Sequence, residues 1–106
     1  MGLLSWLMGG GCDSVTPDEV RDMKKAGQSA LLMVDVRTPG EYATRKIDGA
    51  KHIPVQELGN RYKEIPMDKD VVVYCQNGVR SLYACRFLKN LGYNRVKNMS
   101  GGISRW

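Results

Sequence analysis

Hydrophobic residues occur in short runs that alternate with amphipathic segments from about Val15 to the end of the chain. Two runs, ALLMVDV (30–36) and DVVVYC (70–75), are apolar at nearly every position, which is typical of strands covered on both faces of a sheet. Two shorter strands are predicted at 51–54 and 95–99. Strands separated by helical crossovers indicate an α/β fold, with a parallel sheet and helices on both faces.

The predicted helices have clear start and stop signals. VTPDEV (15–20) and RTPGEY (37–42) each place threonine at the N-cap, proline at the first helical position and glutamate three residues after the threonine. The first helix is expected to continue to about Ala26, with Gly27 ending it. Further helices are predicted over 55–63 and 78–91, with Gly92 just past the end of the second.

Composition and charge limit the possible functions. A chain of 106 residues, of which 42% are hydrophobic and 25% charged, fits one globular domain. The net charge of +5 is spread along the chain among acidic residues, and aromatic residues are not interleaved with basic runs. This pattern argues against nucleic-acid binding, while the weak positive field favours small anions.

The three cysteines, Cys12, Cys75 and Cys85, are odd in number and irregularly spaced. Their pattern resembles neither a disulfide framework nor a zinc site, so we expect unpaired thiols and a reducing, cytoplasmic location. Cys85 falls on the apolar side of a helix and is predicted to be a packed small hydrophobe. Cys12 is predicted to be exposed.

Residues 1–13 are interpreted as an apolar, glycine-rich appendage, and residues 14–106 as the folded domain. The apolar part of the appendage is too short for a membrane span and lacks the basic start of a secretory signal. A membrane-tethered form stays open. The segment is expected to act as a short lid or as a contact for a partner.

Cys75 is the candidate catalytic residue. It ends a predicted central strand, and the loops at the carboxyl ends of parallel strands form the binding crevice in such sheets. The next residues, Gln76 to Arg80, turn into a helix whose free N–H groups point back towards the sulfur, and Gly78 fits a tight turn. These donors and the Arg80 guanidinium favour the thiolate, which is the reactive form of cysteine.

The motifs of the chain resemble those of the rhodanese family of sulfurtransferases. The resemblance rests on LLMVDVRTPGEY, IDGAKHIPVQEL, VVVYCQNGVRSLYACRFLKNLGY and NMSGGISRW, in that order. It implies a rhodanese-like three-layer sandwich. The chain differs at 45–47, where RKI stands in place of the GHI found in many members.

The resemblance implies that Cys75 accepts a sulfane sulfur from a small anionic donor, thiosulfate or a persulfide, and passes it to a thiol or cyanide. A sulfur-accepting protein is a further possible partner, and no metal or organic cofactor is needed. The substrate-binding residues implied are the loop residues Gln76, Asn77, Gly78, Val79 and Arg80. Asp35, Arg37 and Ser81 are expected behind them, with Asp35 and Arg37 bracing the loops.

Two other functions stay open. A related group of phosphatases has one residue more between its cysteine and arginine, so the four residues between Cys75 and Arg80 argue against phosphatase or arsenate reductase activity. The second alternative is a persulfide carrier or regulatory module that acts by docking to a protein. His52 is predicted to be structural, because the implied chemistry needs no general base.

Overall fold

A computed structural model of the chain describes residues 11–26 and 31–106. Five parallel strands form one sheet in the order β1-β5-β4-β2-β3. The strands are β1 (Asp13–Val15), β2 (Leu32–Asp35), β3 (Lys51–His52), β4 (Val71–Tyr74) and β5 (Val96–Met99). The helices are α1 (Pro17–Lys25), α2 (Pro39–Thr44), α3 (Leu58–Arg61) and α4 (Val79–Asn90), with 3₁₀ turns at Val55–Glu57, Tyr62–Glu64 and Gly102–Arg105.

The core consists of two layers of side chains, one on each face of the sheet. Strand β4 contributes to both, because successive side chains point to opposite faces. Val71, Val73 and Cys75 join the cluster that contains Ala84, Cys85 and Leu88 of α4. Val72 and Tyr74 join the cluster that contains Val20 of α1 and Ile103. Helices therefore cover both faces, and the predicted α/β class is confirmed.

Both predicted helix starts form complete capping boxes. Thr16 Oγ1 accepts a hydrogen bond from Glu19 N, and the Glu19 carboxylate accepts one from Thr16 N. Thr38 and Glu41 repeat the arrangement at the start of α2. Each box supplies partners for N–H groups that a helix start leaves free, which fixes where the two helices begin.

The structure differs from the predicted elements in three places. Strand β1 was not predicted, and it begins at Asp13, a residue that the sequence assigned to the appendage. The single helix expected over 55–63 is a 3₁₀ turn, one turn of α-helix and a second 3₁₀ turn. The strand over 51–54 is limited to Lys51–His52. The predicted stop at Gly27 and the strand start at Ala30 lie outside the described residues.

The prediction of unpaired thiols at Cys12 and Cys85 is wrong, because the two residues form a disulfide across 73 positions of sequence. The register of the sheet explains the pairing. Asp13 lies opposite Lys97, which brings Cys12 to the level of Val96, and Cys85 Sγ lies 3.8 Å from the Val96 carbonyl oxygen. Cys85 is buried as expected, whereas Cys12 is only partly exposed.

The disulfide also removes one ground for the predicted cytoplasmic location, the unpaired cysteines, because such bonds form and persist in oxidising compartments. Across residues 11–26 and 31–106, no helix is long and apolar enough to cross a bilayer.

Candidate active site

Cys75 lies at the carboxyl edge of the sheet, directly after β4, and is the free cysteine among the described residues. The chain then turns sharply at Gly78, whose φ of 98° is in the left-handed region. A Cβ atom at Gly78 would lie 3.0 Å from the backbone nitrogen of Gly101. Glycine is therefore required at this position, because other residues rarely adopt this φ and because a side chain would contact the Gly101 backbone too closely.

Hydrogen-bond donors surround the Cys75 sulfur. Gly78 N lies 3.1 Å from Sγ and Ser81 Oγ lies 3.3 Å from it. Burial raises the pKa of the thiol. The Ser81 hydroxyl and the N–H groups of Ser81, Asn77 and Gly78 outweigh burial, and the pKa falls below its ordinary value. Cys75 is therefore buried and still inclined to ionise.

The structure adds Asn98, which the sequence analysis missed, to this network. Ser81 Oγ lies 2.5 Å from Asn98 Oδ1, and Asn98 Nδ2 donates to the Gly78 carbonyl at 3.4 Å. The Ser81 hydroxyl has one proton, so a negative sulfur at Cys75 competes with Asn98 for it. An amide inside the short strand VKNM was the available sequence signal, because buried polar groups need partners.

Arg80 is held in an ion pair. Its Nη1 and Nη2 atoms lie 2.8 and 2.9 Å from the two carboxylate oxygens of Glu41. These hydrogen bonds are the main cause that lowers the pKa of Glu41 to about 2. The capping box at Thr38 holds the same carboxylate in place. The sequence indicated only a capping role for Glu41, and its second role depends on the fold.

The predicted anion-binding role of Arg80 stays a prediction. A donor anion has to share the Arg80 guanidinium with Glu41 or displace it. Both side chains are about one third exposed, so solvent can assist that exchange.

Asp35 and Arg37 form a buried ion pair under the loops around Cys75. Arg37 Nη2 lies 2.7 Å from Asp35 Oδ2, and Asp35 Oδ1 also accepts from the Arg37 backbone N–H. The same guanidinium donates to the carbonyls of Glu41 and Arg45 and to Gln76 Oε1. It thus connects the loop after β2, helix α2 and the first residue of the Cys75 loop.

The remaining predicted site residues form the wall of the turn. Asn77 Oδ1 accepts from Val79 N at 3.1 Å and lies 4.0 Å from Cys75 Sγ. Val79 and Gln76 are exposed beside it. His52, predicted to be structural, contacts the Arg37 carbonyl through Nε2 at 2.8 Å and stacks on Tyr42.

The segment after β5 supports the Cys75 loop from behind. Ile103 N donates to the Cys75 carbonyl at 2.9 Å, and Ser104 N donates to the Gln76 carbonyl at 3.1 Å. A Cβ atom at Gly102 would lie 2.5 Å from the Cys75 carbonyl oxygen. The SGG sequence thus allows two stretches of backbone to pack closely enough to hydrogen bond.

Comparison with known proteins assigns the chain to a family. The sequence model of the rhodanese-like domain family matches residues 16–106 of the chain. The chain belongs to the rhodanese-like family. A sulfurtransferase of Allochromatium vinosum is 43% identical over 88 residues, which cover 83% of this chain and 82% of that relative. Thiosulfate sulfurtransferase GlpE of Stutzerimonas stutzeri is 28% identical over 92 residues, with coverages of 87% and 82%.

A solved rhodanese-related protein of Thermoplasma volcanium has the same fold, with a TM-score of 0.80, 31% identity and 89% of each chain covered. The family and the fold predicted from the sequence are therefore confirmed. In this rhodanese-like domain, β4, α4 and the segment after β5 converge on Cys75.

Proposed function

We propose that this protein is a sulfurtransferase that carries sulfur as a persulfide on Cys75. The Cys75 thiolate attacks the outer sulfur of the donor, a new S–S bond forms, and the old bond of that sulfur breaks. The leaving group, sulfite if the donor is thiosulfate, takes the electron pair. An acceptor thiolate or cyanide then attacks the outer sulfur, and Cys75 leaves as the thiolate.

The observation that carries this proposal is the set of donors aimed at Cys75 Sγ. Gly78 N–H and Ser81 Oγ lie 3.1 and 3.3 Å away, and the pKa of the thiol is lowered despite burial. The same donors stabilise the sulfur when it leaves as a thiolate in the second step. One group of donors thus serves both halves of the transfer.

The arrangement of Arg80 argues against phosphatase and arsenate reductase activity. Four residues separate it from Cys75, and its guanidinium is paired at both nitrogens with Glu41. A cradle for a tetrahedral dianion needs this charge free and facing the nucleophile. Glu41 instead places a carboxylate beside the only arginine of the loop.

The finer assignments rest on the same residues. Thiosulfate and low-molecular-weight persulfides are the proposed donors, and thiols or cyanide the proposed acceptors. The Glu41 carboxylate next to Arg80 repels a doubly charged group such as thiosulfate, so persulfides are favoured over thiosulfate as donors. We propose that the protein works where the Cys12–Cys85 disulfide can form, in an oxidising compartment.

Intact-mass measurement tests the proposal. The wild type incubated with thiosulfate or glutathione persulfide should gain one sulfur atom and lose it to cyanide. Cys75→Ser should gain none, while Cys12→Ser keeps the reactive thiol and serves as the matched cysteine control. A wild type that gains no sulfur from either donor contradicts the sulfurtransferase assignment.

A further inference from the structure

Helix α4 exposes a row of apolar side chains that begins in the Cys75 loop. Among the described residues, the large hydrophobic side chains that are most exposed are Val79, Tyr83, Phe87, Leu91 and Met67. The first four are spaced four residues apart, so they lie along one side of the helix. We call Val79, Tyr83, Phe87 and Leu91 the α4 stripe.

The side chains of the stripe are most exposed at its start, and exposure falls to 36% at Phe87, which packs edge-on against Tyr62. Tyr83 is 67% exposed and Val79 is 56% exposed. The opposite side of α4, with Ala84, Cys85 and Leu88, is buried against the sheet. The fold therefore already uses one side of the helix for its core, and the stripe faces outwards. A contiguous apolar patch on a surface marks an interaction site more often than isolated apolar residues do.

The charged side chains of α4 itself are all basic. Helix α4 contains Arg80, Arg86 and Lys89 and no acidic residue. Arg80 is neutralised by Glu41, but Arg86 and Lys89 form no ion pair within residues 11–26 and 31–106. Arg86 follows Tyr83 by three residues, so a macromolecule that covers the stripe meets its positive charge, and an acidic surface complements it.

The stripe is continuous with the site of sulfur transfer. Val79 is its first residue, and the Val79 N–H is bound by Asn77 of the turn around Cys75. Because Cys75 itself is buried, the accessible atom after loading is the outer persulfide sulfur, about 2 Å farther out. A small thiol needs no apolar surface in order to reach it. A protein seated on the stripe would hold its own cysteine next to that sulfur.

We propose that the α4 stripe is the docking surface for an acidic protein that exchanges sulfur with Cys75 through a cysteine of its own. The inference rests on the sulfurtransferase function proposed above and names the kind of partner. Apolar contacts with Tyr83 and Phe87 provide affinity, and Arg86 selects for acidic residues beside them.

The test uses a synthetic helical peptide with leucines every fourth residue, glutamates beside them and a cysteine at one end. A control peptide has lysines in place of the glutamates. Binding of the labelled peptides to the Cys75→Ser variant of the chain is measured by fluorescence anisotropy, so the result does not depend on sulfur loading. The acidic peptide should bind at least tenfold more tightly than the basic one.

Variants then locate the surface in the same Cys75→Ser background. Tyr83→Ser and Arg86→Glu should each weaken binding of the acidic peptide at least fivefold. Lys25→Glu on α1, an exposed basic residue on another helix, should leave it unchanged. Equal binding of the two peptides, or equal effects of stripe and control variants, overturns the proposal.

Sulfur transfer provides the second measurement. In the protein with Cys75 intact, Tyr83→Ser should lower kcat/KM for the acidic peptide at least fivefold and leave transfer to free cysteine unchanged. Loss of transfer to both acceptors would mean that the variant damages the site, and would overturn the assignment of Tyr83 to docking. Sedimentation provides a separate check, since a dimer that Tyr83→Ser dissociates would assign the stripe to contact between copies instead.

Discussion

The Cys12–Cys85 disulfide closes a long loop of the chain. It joins the residue before β1 to the middle of α4, across 73 positions of sequence. In the chain-entropy account, closing a loop of this length stabilises the folded state by about 4.4 kcal/mol. That is a large share of the roughly 5–15 kcal/mol that stabilises a typical domain.

Equilibrium urea unfolding, followed by circular dichroism, measures this contribution. With a denaturant slope of about 2 kcal/mol per molar urea, loss of the disulfide should lower the midpoint by about 2 M. Cys12→Ser is the preferred variant, because Cys12 is at the surface edge while Cys85 is in the core. Reduction of the wild type should give the same shift, and reductant should not affect Cys12→Ser.

Alkylation and intact mass should show one reactive thiol, Cys75, in the unfolded wild type before reduction and three afterwards. Three reactive thiols before reduction would refute the pairing itself. Loop closure requires the urea midpoints of the oxidised wild type and Cys12→Ser to differ by about 2 M. Midpoints that agree within about 0.3 M would refute this reasoning.

Three further predictions concern the site and its support. Ser81→Ala removes a hydrogen bond to a charged sulfur, about 1.5–3 kcal/mol, and should raise the pKa of Cys75 by one unit or more, as read from the pH dependence of alkylation; an unchanged profile would argue against this donor. Glu41 has a folded pKa lowered from 4.5 to about 2, so its stabilisation is present above pH 4.5 and disappears towards pH 2. Glu41→Gln should therefore lower the free energy of unfolding, measured by urea unfolding, by about 1 kcal/mol or less at pH 7, and the difference from wild type should close on acidification; a difference that grows below pH 4 would contradict the sign. Gly102→Ala should cost ~2 kcal/mol or more, since its Cβ would lie 2.5 Å from the Cys75 carbonyl, whereas Gly49→Ala has a similar positive φ with open space and should cost less; equal costs would assign the effect to φ alone.

Local sequence signals were sufficient for much of the site. The apolar run before Cys75 placed it at the end of a central strand, and Gly78 marked the turn that follows it. The two Thr-Pro-x-Glu segments fixed the starts of α1 and α2. These features depend on residues within one turn or strand of one another, so they can be read along the chain.

Contacts between distant residues could not be predicted in this way. Glu41 and Arg80 are 39 positions apart, and Ser81 and Asn98 are 17 apart. Each pair meets only because the parallel sheet brings the carboxyl ends of different strands to one edge. The sequence therefore predicted the candidate nucleophile and the turn that follows it, but not which groups pair with the arginine and the serine beside it.

The sequence by itself determined the alternation of helices and strands after β1, the position of Cys75 at the end of a strand and the family to which the chain belongs. Only the tertiary structure decided that Cys12 and Cys85 are bonded, because their pairing depends on β1 adding to the edge of the sheet in register with β5. The same holds for the α4 stripe: spacing predicts that Tyr83 and Phe87 share one side of a helix, but the packing of Cys85 and Leu88 against the sheet decides that this side is left exposed.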